Sequence, residues 1–105
     1  VYSLGGTGLL NCLDLRTGER IWSRNILDDA GSPGAPVKNL EWGVSGSPLV
    51  VDDLVITIPG TAEGRSVLAY NSQTGEIAWA AGTFPASYGG PAVAEFHGVR
   101  QVLIY

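Results

Sequence analysis

Apolar positions come in short runs along the chain. Leu9-Leu10, Leu49-Val50-Val51, Leu54-Val55-Ile56, Val67-Leu68-Ala69-Tyr70 and Val102-Leu103-Ile104 are each bounded within a few residues by Gly, Asp, Asn, Ser or Pro. Runs this short, rich in Val, Ile, Leu, Tyr and Trp and lacking the three-and-four spacing of an amphipathic helix, predict strands. In chain order, strands are expected at 1–4, 9–15 and 19–26, then 47–51, 54–59, 66–71 and 76–80, then 91–95 and 101–105. Asp52-Asp53 interrupts two β-branched runs and is expected to close a short hairpin, and a second turn is expected at His97-Gly98.

The pattern repeats. Cys12-Leu13-Asp14-Leu15-Arg16-Thr17-Gly18-Glu19-Arg20-Ile21-Trp22 returns 57 residues later as Ala69-Tyr70-Asn71-Ser72-Gln73-Thr74-Gly75-Glu76-Ile77-Ala78-Trp79, whereas Gly46-Ser47-Pro48-Leu49-Val50 returns after 43 as Gly89-Gly90-Pro91-Ala92-Val93. The difference of 14 is the excess of the segment joining Trp22 to Pro48 over that joining Trp79 to Pro91, so the period is 43 with an insertion in the first linker. A period of about 40–45 residues carrying several short strands is that of four-stranded propeller blades. The predicted fold is therefore all-β, a fragment of a β-propeller with antiparallel four-stranded blades, about two and a half of them in number. Residues 1–26 end one blade, 27–44 form an inserted inter-blade loop, 45–82 make a complete blade, and 83–105 start the next. Val1 begins without Met inside one expected strand and Tyr105 ends inside another, so the sequence reads as a stretch of a longer protein. With unpaired strand edges at both ends, it is expected to be marginally stable or to aggregate by itself.

The repeated motif has a physical reading. Thr17-Gly18 and Thr74-Gly75 sit where a tight turn needs a left-handed residue, which glycine supplies without steric penalty. Asp14 and Asn71 place a short acceptor where turn amides leave the ladder. Trp22 and Trp79 fall on the outermost strand, where a flat ring can cover the small residues and turn of the neighbouring blade.

This pattern, small-x-Asp-x-x-Thr-Gly-Glu-x-x-Trp, resembles the tryptophan-docking motif of propellers of the pyrroloquinoline-quinone (PQQ) repeat type. That family includes quinoprotein alcohol dehydrogenases and the outer-membrane-protein assembly factor BamB. The likeness is nearest to secreted bacterial PQQ-binding-like repeat proteins, through the strings at 22–25 and 98–103. It implies a structural docking role for Asp14, Thr17, Gly18 and Trp22 and for Asn71, Thr74, Gly75 and Trp79. Cys12 stands at a position usually held by Ala, and Asn71 at one usually held by Asp.

Composition narrows the chemistry. Ten acidic against six scattered basic residues offer no phosphate-tracking surface, so nucleic acid is not an expected partner. No apolar run is long enough to cross a bilayer as a helix. The single cysteine, Cys12, is expected to be a small buried side chain. The resemblance implies that a dehydrogenase of this type would need Glu, Asn and Asp ligands for calcium or a lanthanide, a catalytic Asp, and an adjacent cysteine pair. Here Asp14, Glu19 and Glu76 flank turns, Asp52 and Asp53 form one, and Asp28 and Asp29 lie in the linker, so no catalytic, cofactor-binding or metal residue is assigned. His97 reads as a turn residue, and Gly5-Gly6-Thr7-Gly8 as a blade loop with no helix after it to hold a phosphate. Trp42, in the insertion, is the candidate ligand-loop residue, against the plainer role of packing over the blade end.

Three functions are consistent with the resemblance. The first is a non-catalytic, extracytoplasmic propeller of the BamB kind that binds neighbouring blades internally and a protein or cell-envelope partner externally, with no cofactor. The alternative is part of a PQQ-dependent quinoprotein alcohol dehydrogenase whose quinone and calcium site lies outside this segment. A sensor propeller joined to a signalling domain is a third.

Overall fold

A computed structural model of the chain describes residues 1–31, 43–61 and 64–104. Three antiparallel sheets follow one another: β1 (Tyr2–Leu4), β2 (Leu9–Leu13) and β3 (Arg20–Asn25) form the first, in that order. The second holds β4 (Leu49–Val51), β5 (Leu54–Thr57), β6 (Val67–Asn71) and β7 (Ile77–Ala81), and the third holds β8 (Ala92–Phe96) and β9 (Val99–Leu103). The fold is all-β, with successive antiparallel meanders forming propeller blades, and the middle sheet is the four-stranded one.

Each repeat carries the same irregularity. The register slips between Cys12 and Leu13 against β3 and, 57 residues on, between Ala69 and Tyr70 against β7. Ile21 and Ala78 are the residues passed over, so each outer strand bulges just before its tryptophan. Trp22 then lies directly across from Cys12, and Trp79 across from Ala69.

The strands stack face to face through two apolar layers. Leu10, Ile26 and Ala30 from the first blade meet Val55, Leu68 and Tyr70 from the second, with Tyr2, Leu4, Trp22, Leu27, Val44 and Ile77 at the margin. On the opposite face, Ile56, Val67 and Ala69 pack against Leu49, Val51, Leu54, Phe84, Val102 and Ile104. Alternate residues of β5 and β6 therefore enter different layers, which explains why both strands read as continuous apolar runs. Burial of each large aliphatic side chain here is worth about 1.5–3 kcal/mol.

Several details differ from expectation. The third strand ends at Asn25, and residues Ile26–Ala30 form one helical turn, α1, with the Asn25 side chain accepting from the amides of Leu27 and Asp28. The insertion thus opens with helix rather than loop. Its described ends are both tied to the glycine-rich β1–β2 loop: Ile26 N–H donates to the carbonyl of Gly8, and Val44 N–H to that of Gly6. β9 begins at Val99, two residues earlier than expected, because His97 and Gly98 both adopt positive φ (51° and 77°) and close a two-residue hairpin. Tyr105 and the insertion's Trp42 lie outside the described residues.

Candidate functional site

Two corners with the docking pattern are built from nearly identical bonds. In the first, Asp14 Oδ1 accepts from the amides of Arg16 (2.8 Å) and Thr17 (3.1 Å), Gly18 N–H donates to the Asp14 carbonyl (2.9 Å), and Thr17 Oγ1 accepts from Glu19 N–H (3.2 Å). In the second, Asn71 Oδ1 accepts from Gln73 (2.9 Å) and Thr74 (3.0 Å), Gly75 donates to the Asn71 carbonyl (2.9 Å), and Thr74 Oγ1 accepts from Glu76 (3.3 Å). Asn replaces Asp without loss because the amide oxygen supplies the same acceptor. Gly18 and Gly75 sit at φ +74° and +76°, a conformation that residues with a Cβ adopt only under strain. The amide N–H of Arg16, and after it that of Thr17, holds the Asp14 carboxyl below its ordinary value.

The second corner is occupied. Trp22 lies over Gly75 so closely that a Cβ there would stand 2.7 Å from the indole ring. Its Nε1–H donates to the carbonyl of Ser72 at 3.0 Å, and Tyr2 Oη–H donates to the same oxygen at 2.9 Å. Two donors fill a carbonyl's two lone pairs, and Cys12 Sγ approaches the same atom at 4.0 Å. Tyr2, Trp22 and Tyr70 form a tilted aromatic row with centroid separations of 5.9 and 6.4 Å. Burial pushes the Tyr2 phenol above its usual range. Ser72 is held in turn by its own N–H, which donates to the Asp53 carbonyl at 2.8 Å in the β4–β5 hairpin.

The structure thus brings Trp22, Asn71, Thr74 and Gly75 together across two blades. Asp14, Thr17 and Gly18 form the other corner, where nothing lies within 4 Å of a Cβ added at Gly18 and Leu15 is exposed. Trp79 is on the outer strand of its blade and 38% exposed. Tyr2 and Ser72 were not singled out in the sequence. The tyrosine is one aromatic among several, and a carbonyl leaves no trace in residue type.

The other chemistry-bearing groups named from the sequence lie apart from these hydrogen bonds or only border them. Cys12 is buried in the first interface, and His97 is exposed in the β8–β9 turn. Asp29 bonds Arg24 and Tyr70, and Asp52, in a left-handed conformation at φ 53°, pairs with Arg100. Among the described residues, no group of three or more His, Cys, Asp or Glu side chains is placed to hold a metal ion. Among the same residues no helix is long and apolar enough to cross a membrane, which says nothing of strands.

Comparison with known proteins gives one informative match. Over 93 residues, or 86% of this chain, the sequence is 37% identical to the quinohemoprotein alcohol dehydrogenase ADH IIB of Pseudomonas putida. The chain spans only 12% of that relative's length. No family model matches, and no solved structure does.

Proposed function

We propose that this chain is a wall-forming stretch of an extracytoplasmic PQQ-type propeller whose role is non-catalytic: it supplies rigid blades that present a scaffolding surface to a protein or cell-envelope partner, as in BamB-like members. The observation that carries the reading is the double donation of Tyr2 and Trp22 onto the Ser72 carbonyl. This contact spends Trp22 and the second corner of the docking pattern on joining two blades. The ring over Gly75 blocks sliding of one sheet on the next, while the two hydrogen bonds set their register. The commitment of Asp14, Asp29 and Asp52 to turn amides and arginines supports the same reading.

The second reading, favoured by the 37% identity to a quinohemoprotein alcohol dehydrogenase, is that these blades belong to a PQQ-dependent dehydrogenase whose quinone is held by other blades. Supplying the full-length protein with PQQ and calcium separates the two. The scaffold reading expects no shift of the quinone's absorbance and no alcohol-dependent dye reduction. Saturable quinone binding with dye reduction would overturn it.

A further inference from the structure

The helical turn α1 is too short to hold its own position, so its contacts decide where it sits. Three polar groups from two blades converge on Asp29. Arg24, on β3, donates Nε to Oδ2 (3.0 Å) and Nη2 to Oδ1 (2.9 Å) in a forked pair. Tyr70, on β6 of the next blade, donates its hydroxyl to Oδ2 at 2.8 Å, and Arg65 donates Nη1 to the Asp29 backbone carbonyl at 2.7 Å. The Arg24 guanidinium also lies 5.7 Å from the centroid of the Tyr70 ring.

Tyr70 is fully buried, and a buried hydroxyl without an acceptor is destabilising, so Asp29 satisfies a need created in the second blade. Burial first, and then the bond to Asp29, push the Tyr70 phenol far above its ordinary value and keep it a donor. The corresponding position of the first repeat is Leu13, which has no hydroxyl. The arrangement is therefore peculiar to this interface rather than a property of the repeat.

We infer that Asp29 is an inter-blade latch: it fastens α1, which the chain ties to the first blade, onto Tyr70 and Arg65 of the second, so that both sheets and the start of the insertion move as one body. The insertion then leaves from a stem anchored on two blades, besides the Trp22 contact.

Amide hydrogen exchange on the full-length protein tests this, with Asp29→Ala, Tyr70→Phe, the double variant and Arg65→Ala. Asp29→Ala keeps the Asn25 cap but removes the acceptor oxygens along with the charge. It should speed exchange at Ile26 and Gly31, whose N–H groups donate to Gly8 and to Leu27 and Asp28, by about ten- to a hundredfold. Tyr70→Phe should do so by about tenfold or less, and the double variant should be no faster than Asp29→Ala, since with the carboxylate gone the phenol has no bond to it left to lose. Additive effects in the double variant, or unchanged exchange in Asp29→Ala, would overturn the latch. If Asp29→Ala does not fold, Tyr70→Phe and Arg65→Ala decide: several-fold faster exchange at Gly31 in both supports the latch, and no change in one or both refutes it.

Discussion

The corners at 14–19 and 71–76 share the bonds made within the turn, and among the described residues the second is covered by Trp22 of the blade before it while the first lies open. Gly18 is exposed with open space beside it, while Gly75 is buried under Trp22. The carbonyl used for docking belongs to Ser72, and the matching residue of the first corner is Leu15, which is 82% exposed. Local sequence thus builds the socket, and the ring that fills the second one comes from the blade before it in the chain. The donors differ too. The blade that fills the second corner offers Tyr2, Cys12 and Trp22, whereas at the equivalent positions the second blade presents Ile56, Ala69 and Trp79, with the indole as its sole side-chain donor. The first interface is therefore specialised beyond what the repeat requires.

The largest way to break this comparison is Trp22→Ala. Removing the ring empties the space over Gly75 and leaves one lone pair of the Ser72 carbonyl without its donor, so stability should fall by about 3–5 kcal/mol, read from the denaturant midpoint at constant slope. The two glycines come next. Gly18→Ala and Gly75→Ala both force an L-residue into the left-handed region, at about 1–2 kcal/mol each, but only Gly75→Ala also collides with the indole. Within residues 1–105, Gly75→Ala should therefore be the more destabilising by at least ~1 kcal/mol. Pairing it with Trp22→Ala should remove that excess, giving clear non-additivity. Equal effects at the two glycines would show that the first corner is covered as tightly as the second.

How much of this was legible in the sequence follows from the range of each interaction. The corners were readable because Asp14 and Asn71 reach amides only two and three residues away, and the strands because apolar runs and turn residues are local signals. The helical turn at Ile26–Ala30 carries a local signal that the repeat pattern masks: Asn25 is a good N-cap, followed by the acidic pair Asp28 and Asp29 in the first turn. The contacts on Ser72 and Asp29 had none. Those that cross between blades join residues 36 to 70 positions apart, and their geometry exists only once two sheets have stacked.

A finer break is Tyr2→Phe. The ring remains in the aromatic row and only the hydroxyl's bond to Ser72 is lost, which makes the first interface more like the second, where Ile56 occupies that place. A loss of about 1 kcal/mol is expected, with the Trp22 fluorescence maximum unchanged. A shift to the red would mean that the phenol also positions the indole.

The smallest effect separates the corners by charge. Asp14 titrates and Asn71 does not, although they accept the same two kinds of amide bond. The folded-state pKa of Asp14 is depressed below that of the unfolded chain, so its contribution is fully present above the unfolded value, about 3.9, and is lost as pH falls through the folded one. Between pH 5 and 2, the amide resonances of Arg16 and Thr17 should move and their exchange, corrected for intrinsic rates, should quicken. Those of Gln73 and Thr74 should hold. Asp14→Asn should abolish the difference and make the first corner as indifferent to acid as the second. Equal acid sensitivity at both corners would place its origin in the blade interface rather than in the turn carboxylate.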